Sequence, residues 1–112
     1  MSYLNFNQKN TFRNKKVIIT GASKGLGLKA CQELAYRGAS IAMLSRSLRD
    51  MKNIKDKLDS PSKHICIKLD LFDNSNIGSA VKKAQKFLKK IDIIIHVAGG
   101  GIGIKNPLMK HE

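Results

Sequence analysis

Eight residues, TGASKGLG at positions 20–27, carry the spacing with the clearest chemical meaning in this 112-residue chain. Gly21, Gly25 and Gly27 follow the β-branched run KVIIT. A glycine loop between a strand and a helix presents backbone N–H groups with no side chain in the way, and the helix N-terminus adds a positive dipole end. The chemistry on offer is the holding of an anion, above all a phosphate. Gly21 suits a sharp exit from the strand. Gly25 and Gly27 remove side chains where a pyrophosphate and an adjoining strand must come close. Ser23, Lys24 and Leu26 share the loop, and Lys24 places a cation beside Gly25. The competing reading is a tight strand-to-helix turn that binds nothing.

The elements around this loop alternate. Residues 16–20 read as a buried strand, and residues 23–37 as a helix with Leu26, Ala30, Leu34 and Ala35 at helical spacing before Gly38 stops it. A second strand is expected over 40–44 and a second helix over 47–58, with Leu48, Met51, Ile54, Lys55 and Leu58 in phase and Pro61 beyond. HICIKL (64–69) reads as a third strand. Ser75 or Asn76 is expected to cap a helix running to Lys89, with Ile77, Ala80, Val81, Ala84 and Leu88 on one face. DIIIHV (92–97) is a fourth strand, apolar throughout as central parallel strands are, and the glycine-rich AGGGIGIKNPL follows. Strands alternating with helices imply an α/β, Rossmann-type, doubly wound parallel sheet of about four strands, in the order 3-2-1-4. Its ligand crevice lies at the switch point between the first and fourth strands. Residues 1–15 read as a polar arm and residues 16–112 as the folded unit.

Composition narrows the classes. At 42% hydrophobic the chain is globular, and no apolar run is long enough to span a membrane. The N-terminus has no signal-peptide core, so the expected location is the cytoplasm. Cys31 and Cys66 are read as buried thiols, and with three histidines and no close Cys/His spacing no metal site is expected. The net charge of +13 raises a nucleic-acid partner. The lysines are scattered, however, and those of VKKAQKFLKK fall largely on the polar side of a helix. Arginine is scarce and only Phe87 interrupts that run, so no specific nucleic-acid role is expected.

The loop spacing is Gly-x-x-x-Gly-x-Gly, and here the chain resembles the short-chain dehydrogenases/reductases. Thr20, Gly21, Gly25 and Gly27 match that family's TGxxxGxG fingerprint. KLDLFD resembles the segment after the third strand, where Asp70 would meet the adenine amino group and Leu71 would contribute backbone. HVAG, at 96–99, looks like the family's NNAG motif, with His96 and Val97 in place of both asparagines and Ala98 and Gly99 retained. The resemblance implies that Val97 supplies backbone contacts to the cofactor, and His96 is expected to be an ordinary buried, hydrogen-bonded histidine.

The resemblance also implies a cofactor choice. Users of NAD tend to carry an acid at the end of the second strand, to hold the ribose 2′-hydroxyl. Ser45 stands there instead, followed by Arg46, whose guanidinium suits a phosphate. With Lys24, this implies NADP(H) in preference to NAD(H).

The family's hydride transfer uses a serine, and a tyrosine and lysine arranged YxxxK. Tyr3 lies in the arm and Tyr36 is followed four residues on by Ser40, so neither fits. The chain therefore resembles the cofactor half of a reductase, truncated before its catalytic half and inactive alone. The complete enzyme would act on a carbonyl or alcohol, such as a 3-oxoacyl or enoyl thioester, and would form a homo-oligomer. The alternatives are a nucleotide-binding module or pseudoenzyme without catalysis and, behind it, a basic nucleic-acid-associated protein.

Overall fold

The computed structural model describes residues 10–70 and 74–97. Seven main elements alternate along the chain: β1 (Lys16–Thr20), α1 (Gly25–Tyr36), β2 (Ser40–Ser45), α2 (Leu48–Lys55), β3 (Ile65–Lys68), α3 (Ile77–Leu88) and β4 (Ile93–His96). The strands form one parallel sheet in the order β3-β2-β1-β4. Each strand and helix falls within about two or three residues of its expected span, the usual scatter at frayed ends.

The apolar character of β1 and β2 has a direct cause. Both are central and are covered on both faces, so Val17, Ile18, Ile19, Ile41, Ala42, Met43 and Leu44 are all buried. Alternate side chains feed two separate cores. Val17, Ile19, Ile41 and Met43 pack with Cys31, Leu34 and Ala35 of α1 and Met51 of α2. Ile18, Ala42, Leu44 and Ile67 pack with Ala80, Ala84 and Leu88 of α3. Helices therefore lie on both faces, as a doubly wound sheet requires. Phe12 leans on the first core, and its N–H donates to the Arg37 carbonyl, which ties the arm's end to the end of α1.

Local signals set the element ends. Ser47 caps α2 by accepting the Asp50 N–H at 3.2 Å. At α3 the cap position is Asn76, but no side-chain cap bond forms there, because Asn76 has helical dihedrals rather than the extended ones that aim a capping oxygen. Asp92 fastens the start of β4 to the start of β1. Its Oδ2 accepts the Lys16 N–H at 2.8 Å, its N–H donates to the Lys16 carbonyl, and Lys90 lies 3.4 Å from the carboxylate. The Lys16 hydrogen bond, helped by Lys90, holds that carboxyl below its ordinary range.

Three expectations are corrected. His96 is exposed, because its strand is at the sheet edge among the described residues, yet it keeps a hydrogen-bond partner. Cys66 is half-buried rather than buried, since β3 is the other edge. Leu26, in phase with the apolar stripe of α1, is 76% exposed in the helix's first turn and joins neither core. Among the described residues the buried histidine is His64. Its Nδ1 accepts the Ile41 N–H at 3.1 Å and its Nε2 donates to the Asp59 carbonyl at 2.8 Å.

Candidate functional site

The site is built where β1 ends. Gly21 leaves the strand with φ +72°, a left-handed conformation that favours glycine, and the Val97 carbonyl oxygen would lie 2.7 Å from an added Cβ. The Gly21 N–H donates to the Leu44 carbonyl at 2.9 Å, so the loop is pinned to β2 as it departs. Gly27 permits the closest approach: a Cβ there would meet the Gly21 carbonyl oxygen at 1.9 Å. The first turn of α1 thus sits directly on its own incoming loop. Gly25 differs, since an added Cβ would meet nothing within 4 Å. Two glycines shape the loop, and the third borders open space at its mouth.

That space faces the N-terminus of α1. Lys24 is the N-cap residue, its side chain makes no cap hydrogen bond, and the first turn holds no acid. The early N–H groups of a helix have no intrahelical acceptor, so this end suits an anion. Lys24, Gly25 and Leu26 are all exposed at the mouth.

The end of β2 joins the loop through a hydroxyl pair. Ser23 Oγ and Ser45 Oγ are 2.9 Å apart and share a hydrogen bond, and the Ser47 N–H reaches Ser45 Oγ at 3.5 Å. Arg46 follows Ser45 and is exposed. Beyond it, the Leu69 N–H donates to the Ser45 carbonyl at 2.8 Å, which brings half-buried Asp70 to the same rim. On the other side, the Val97 N–H donates to the Thr20 carbonyl at 3.3 Å, and Thr20 Oγ1 lies 2.7 Å from His96 Nδ1.

Gly21, Ser23, Lys24, Gly25, Leu26, Gly27, Ser45, Arg46, Asp70 and Val97 therefore gather along the carboxyl ends of the four strands. Leu71, Ala98 and Gly99, and the glycine-rich stretch after them, lie outside the described residues. Two pairings were missed from sequence, Ser23 with Ser45 and Thr20 with His96. Parallel register was the signal for the second, since Thr20 and His96 end adjacent strands at one level. Two cavities lie elsewhere, one of about 300 Å³ against Lys52, Lys55, His64 and Cys66, the other of about 360 Å³ against Tyr36, Gly38 and Asp59. The glycine loop lines neither of them. Among the described residues no cluster of histidine, cysteine or acid could hold a metal ion, and no helix is long and apolar enough to cross a membrane.

A family model described as short chain dehydrogenase matches residues 15–112. The chain is 33% identical over 92 residues to a glycine betaine reductase of Emericella nidulans, covering 81% of this chain and 7% of that protein. It is 30% identical over 89 residues to a 3-oxoacyl-(acyl-carrier-protein) reductase of Salmonella typhimurium, covering 80% of this chain and 36% of the relative. Among solved structures, a short chain dehydrogenase of Bacillus anthracis superposes with a TM-score of 0.73 at 26% identity, over 81% of this chain and 37% of the other. The chain spans less than half the length of these proteins.

Proposed function

The chain belongs to the short-chain dehydrogenase family, and on that premise we propose that it binds a nicotinamide dinucleotide along the rim, with NADP(H) preferred to NAD(H). The pyrophosphate lies over Gly25 against the α1 N-terminus, the adenosine ribose at Ser45 and Arg46, the adenine beside Asp70 and Leu71, and backbone from Val97 to Gly99 borders the rest. The observation that carries the reading is the end of β2. Its Ser45 hydroxyl is tied to Ser23 of the glycine loop, and the exposed cations Lys24 and Arg46 each follow one of those serines in sequence. A carboxylate there would hold a 2′-hydroxyl and repel a 2′-phosphate, whereas two cations attract the phosphate.

Titration of the chain with NADPH and NADH tests this. NADPH is expected to bind at least about tenfold more tightly, and Arg46→Ala to remove most of the difference while leaving NADH affinity nearly unchanged. Equal affinities in the parent chain would sink the preference.

Hydride transfer to a carbonyl is the family's reaction, and we propose it only for a protein of the relatives' full length. Tyr36 is at the end of α1 remote from the glycine loop and is not followed by a lysine four residues on. Tyr3 lies outside the described residues. The function proposed for these 112 residues is cofactor binding. The Salmonella relative's name favours a 3-oxoacyl thioester as the carbonyl substrate of a full-length protein, for which we also propose a homo-oligomeric assembly. A nucleotide-binding module without catalysis is the second reading, favoured by that same placement of Tyr36. Oxidation of NADPH with an acetoacetyl thioester, run on the chain and on any longer form, separates the two.

A further inference from the structure

The two faces of the sheet differ in charge. Around α1 and α2, lysines and arginines are interspersed with acids: Glu33 in α1, Asp50 in α2, and Asp56 and Asp59 just beyond it. On the other face α3 carries no acid. Its buried side is made of Ala80, Ala84 and Leu88. Lys82 and Lys86 stand one turn apart on the opposite side, and Lys83 is one turn from Phe87 on the flank. Lys89 and Lys90 follow the last turn, and all of these lysines are exposed. Among the described residues Lys82, Lys83, Lys86 and Lys89 form no ion pair, while Lys90 lies 3.4 Å from Asp92. The helix dipole accounts for cations in and after the last turn, but not for Lys82 and Lys83 at mid-helix. Phe87 is 38% exposed among them.

α3 runs from the carboxyl end of β3 back to the amino end of β4, so its lysines crowd towards the end of the sheet away from the glycine loop. Exposed Lys15, just before β1, joins Lys90 at that end, where both attract the Asp92 carboxylate. We propose that this outer face of α3 docks on an anionic phospholipid surface. Compact ammonium groups suit headgroup phosphates and carboxylates, with no need of the fixed fork that arginine supplies. The face has no arginine and a single aromatic ring, which fits a headgroup layer better than a run of stacked bases. The contact is peripheral, because the apolar side of α3 is already occupied by the core. It leaves the glycine loop clear and does not depend on the dinucleotide reading.

Cosedimentation of the 112-residue chain with vesicles, at about 0.1 M salt, tests this. One set of vesicles is phosphatidylcholine alone and the other contains about 30% phosphatidylserine. Binding is expected to the mixed vesicles only, weakening steadily as salt is added. Lys82→Ala with Lys86→Ala is expected to weaken it about 25-fold, about fivefold for each lysine. Lys52→Ala with Lys57→Ala removes the same charge from the α2 side and is expected to change it by less than about twofold. All four are exposed, so melting curves of both variants should stay close to the parent's. Equal weakening by the two pairs would assign the binding to net charge alone, and equal binding to both kinds of vesicle, or to neither, would remove the anionic surface as partner; each overturns the proposal. A DNA duplex or a single-stranded RNA that binds more tightly than the vesicles, with the same dependence on Lys82 and Lys86, would make the face a nucleic-acid surface and overturn it as well.

Discussion

Gly27 is the residue with the least freedom to change. Its Cβ would meet the Gly21 carbonyl oxygen at 1.9 Å and the Ala22 Cα at 3.0 Å, and both neighbours are backbone held by hydrogen bonds to Leu44. Neither can retreat without breaking the loop from β2. Gly27→Ala is therefore expected to cost about 3 kcal/mol or more in chemical unfolding, at the upper end of overpacking effects. Gly25→Ala meets open space and carries only the strain of φ +51°, about 1 kcal/mol. Its larger effect should be on dinucleotide affinity, because the methyl projects into the space assigned to the pyrophosphate. The order of the two variants reverses between an unfolding curve and a titration, and identical behaviour in both assays would refute this division of labour. The glycine spacing was legible in sequence because the residue type itself records the constraint. The partner of each glycine was not, because Val97 approaches Gly21 only through strand pairing. The thiols show the same limit. Burial pushes Cys31 up to about 12, with Cys66 adding to the shift, so a thiol reagent at pH 8 should modify Cys66 of the folded chain well before Cys31.

Among the elements, the link between β2 and the turn before β3 depends on protonation. His64 is 2% exposed and spends both ring nitrogens, accepting from Ile41 of β2 and donating to the Asp59 carbonyl. Desolvation pulls its pKa below the ordinary 6.5, and neighbouring Lys55 and Lys63 push the same way against the Asp59 carbonyl and carboxylate. In the unfolded chain the imidazole takes up its proton near 6.5, while in the folded chain it does so only at lower pH. The unfolded state thus binds more protons between the two values. The stability is fully present above 6.5 and declines as pH falls towards the lower folded value. Denaturant midpoints should drop between pH 7.5 and 5, and His64→Gln should flatten that slope while lowering the plateau. Asp92 acts in a separate window, below 3.8, where protonation would release the Lys16 N–H. Element types and order were readable because hydrophobic periodicity changes cleanly from strand to helix. The roles of the histidines were not, since each simply borders an apolar run, His64 before ICI and His96 after III, and what separates them is placement: the His64 ring bonds the inner strand β2, whereas His96 ends an edge strand among the described residues.

For the molecule as a whole, two features oppose each other. β4 pairs only with β1 among the described residues, and its Ile94 is 66% exposed on a strand of three consecutive isoleucines. An apolar strand with an unpaired edge is a template for another strand, whether from further along a longer chain or from a second copy. Against this stands the net charge of +13, which repels like molecules over roughly 10 Å at 0.1 M salt and over much less at 1 M. Pairing of β4 edges should therefore be hidden at low ionic strength and appear as salt screens the lysines. Sedimentation of the 112-residue chain is expected to show rising association between 0.05 and 0.5 M salt, over which the screening length falls from about 14 to about 4 Å. Ile94→Lys places a charge on the exposed face of the edge and should abolish that rise. The substitution removes little buried surface, so its unfolding midpoint should stay close to the parent's at low salt, where the parent is monomeric. Association that is insensitive to Ile94→Lys, or that weakens as salt is added, would place the contact elsewhere on the surface.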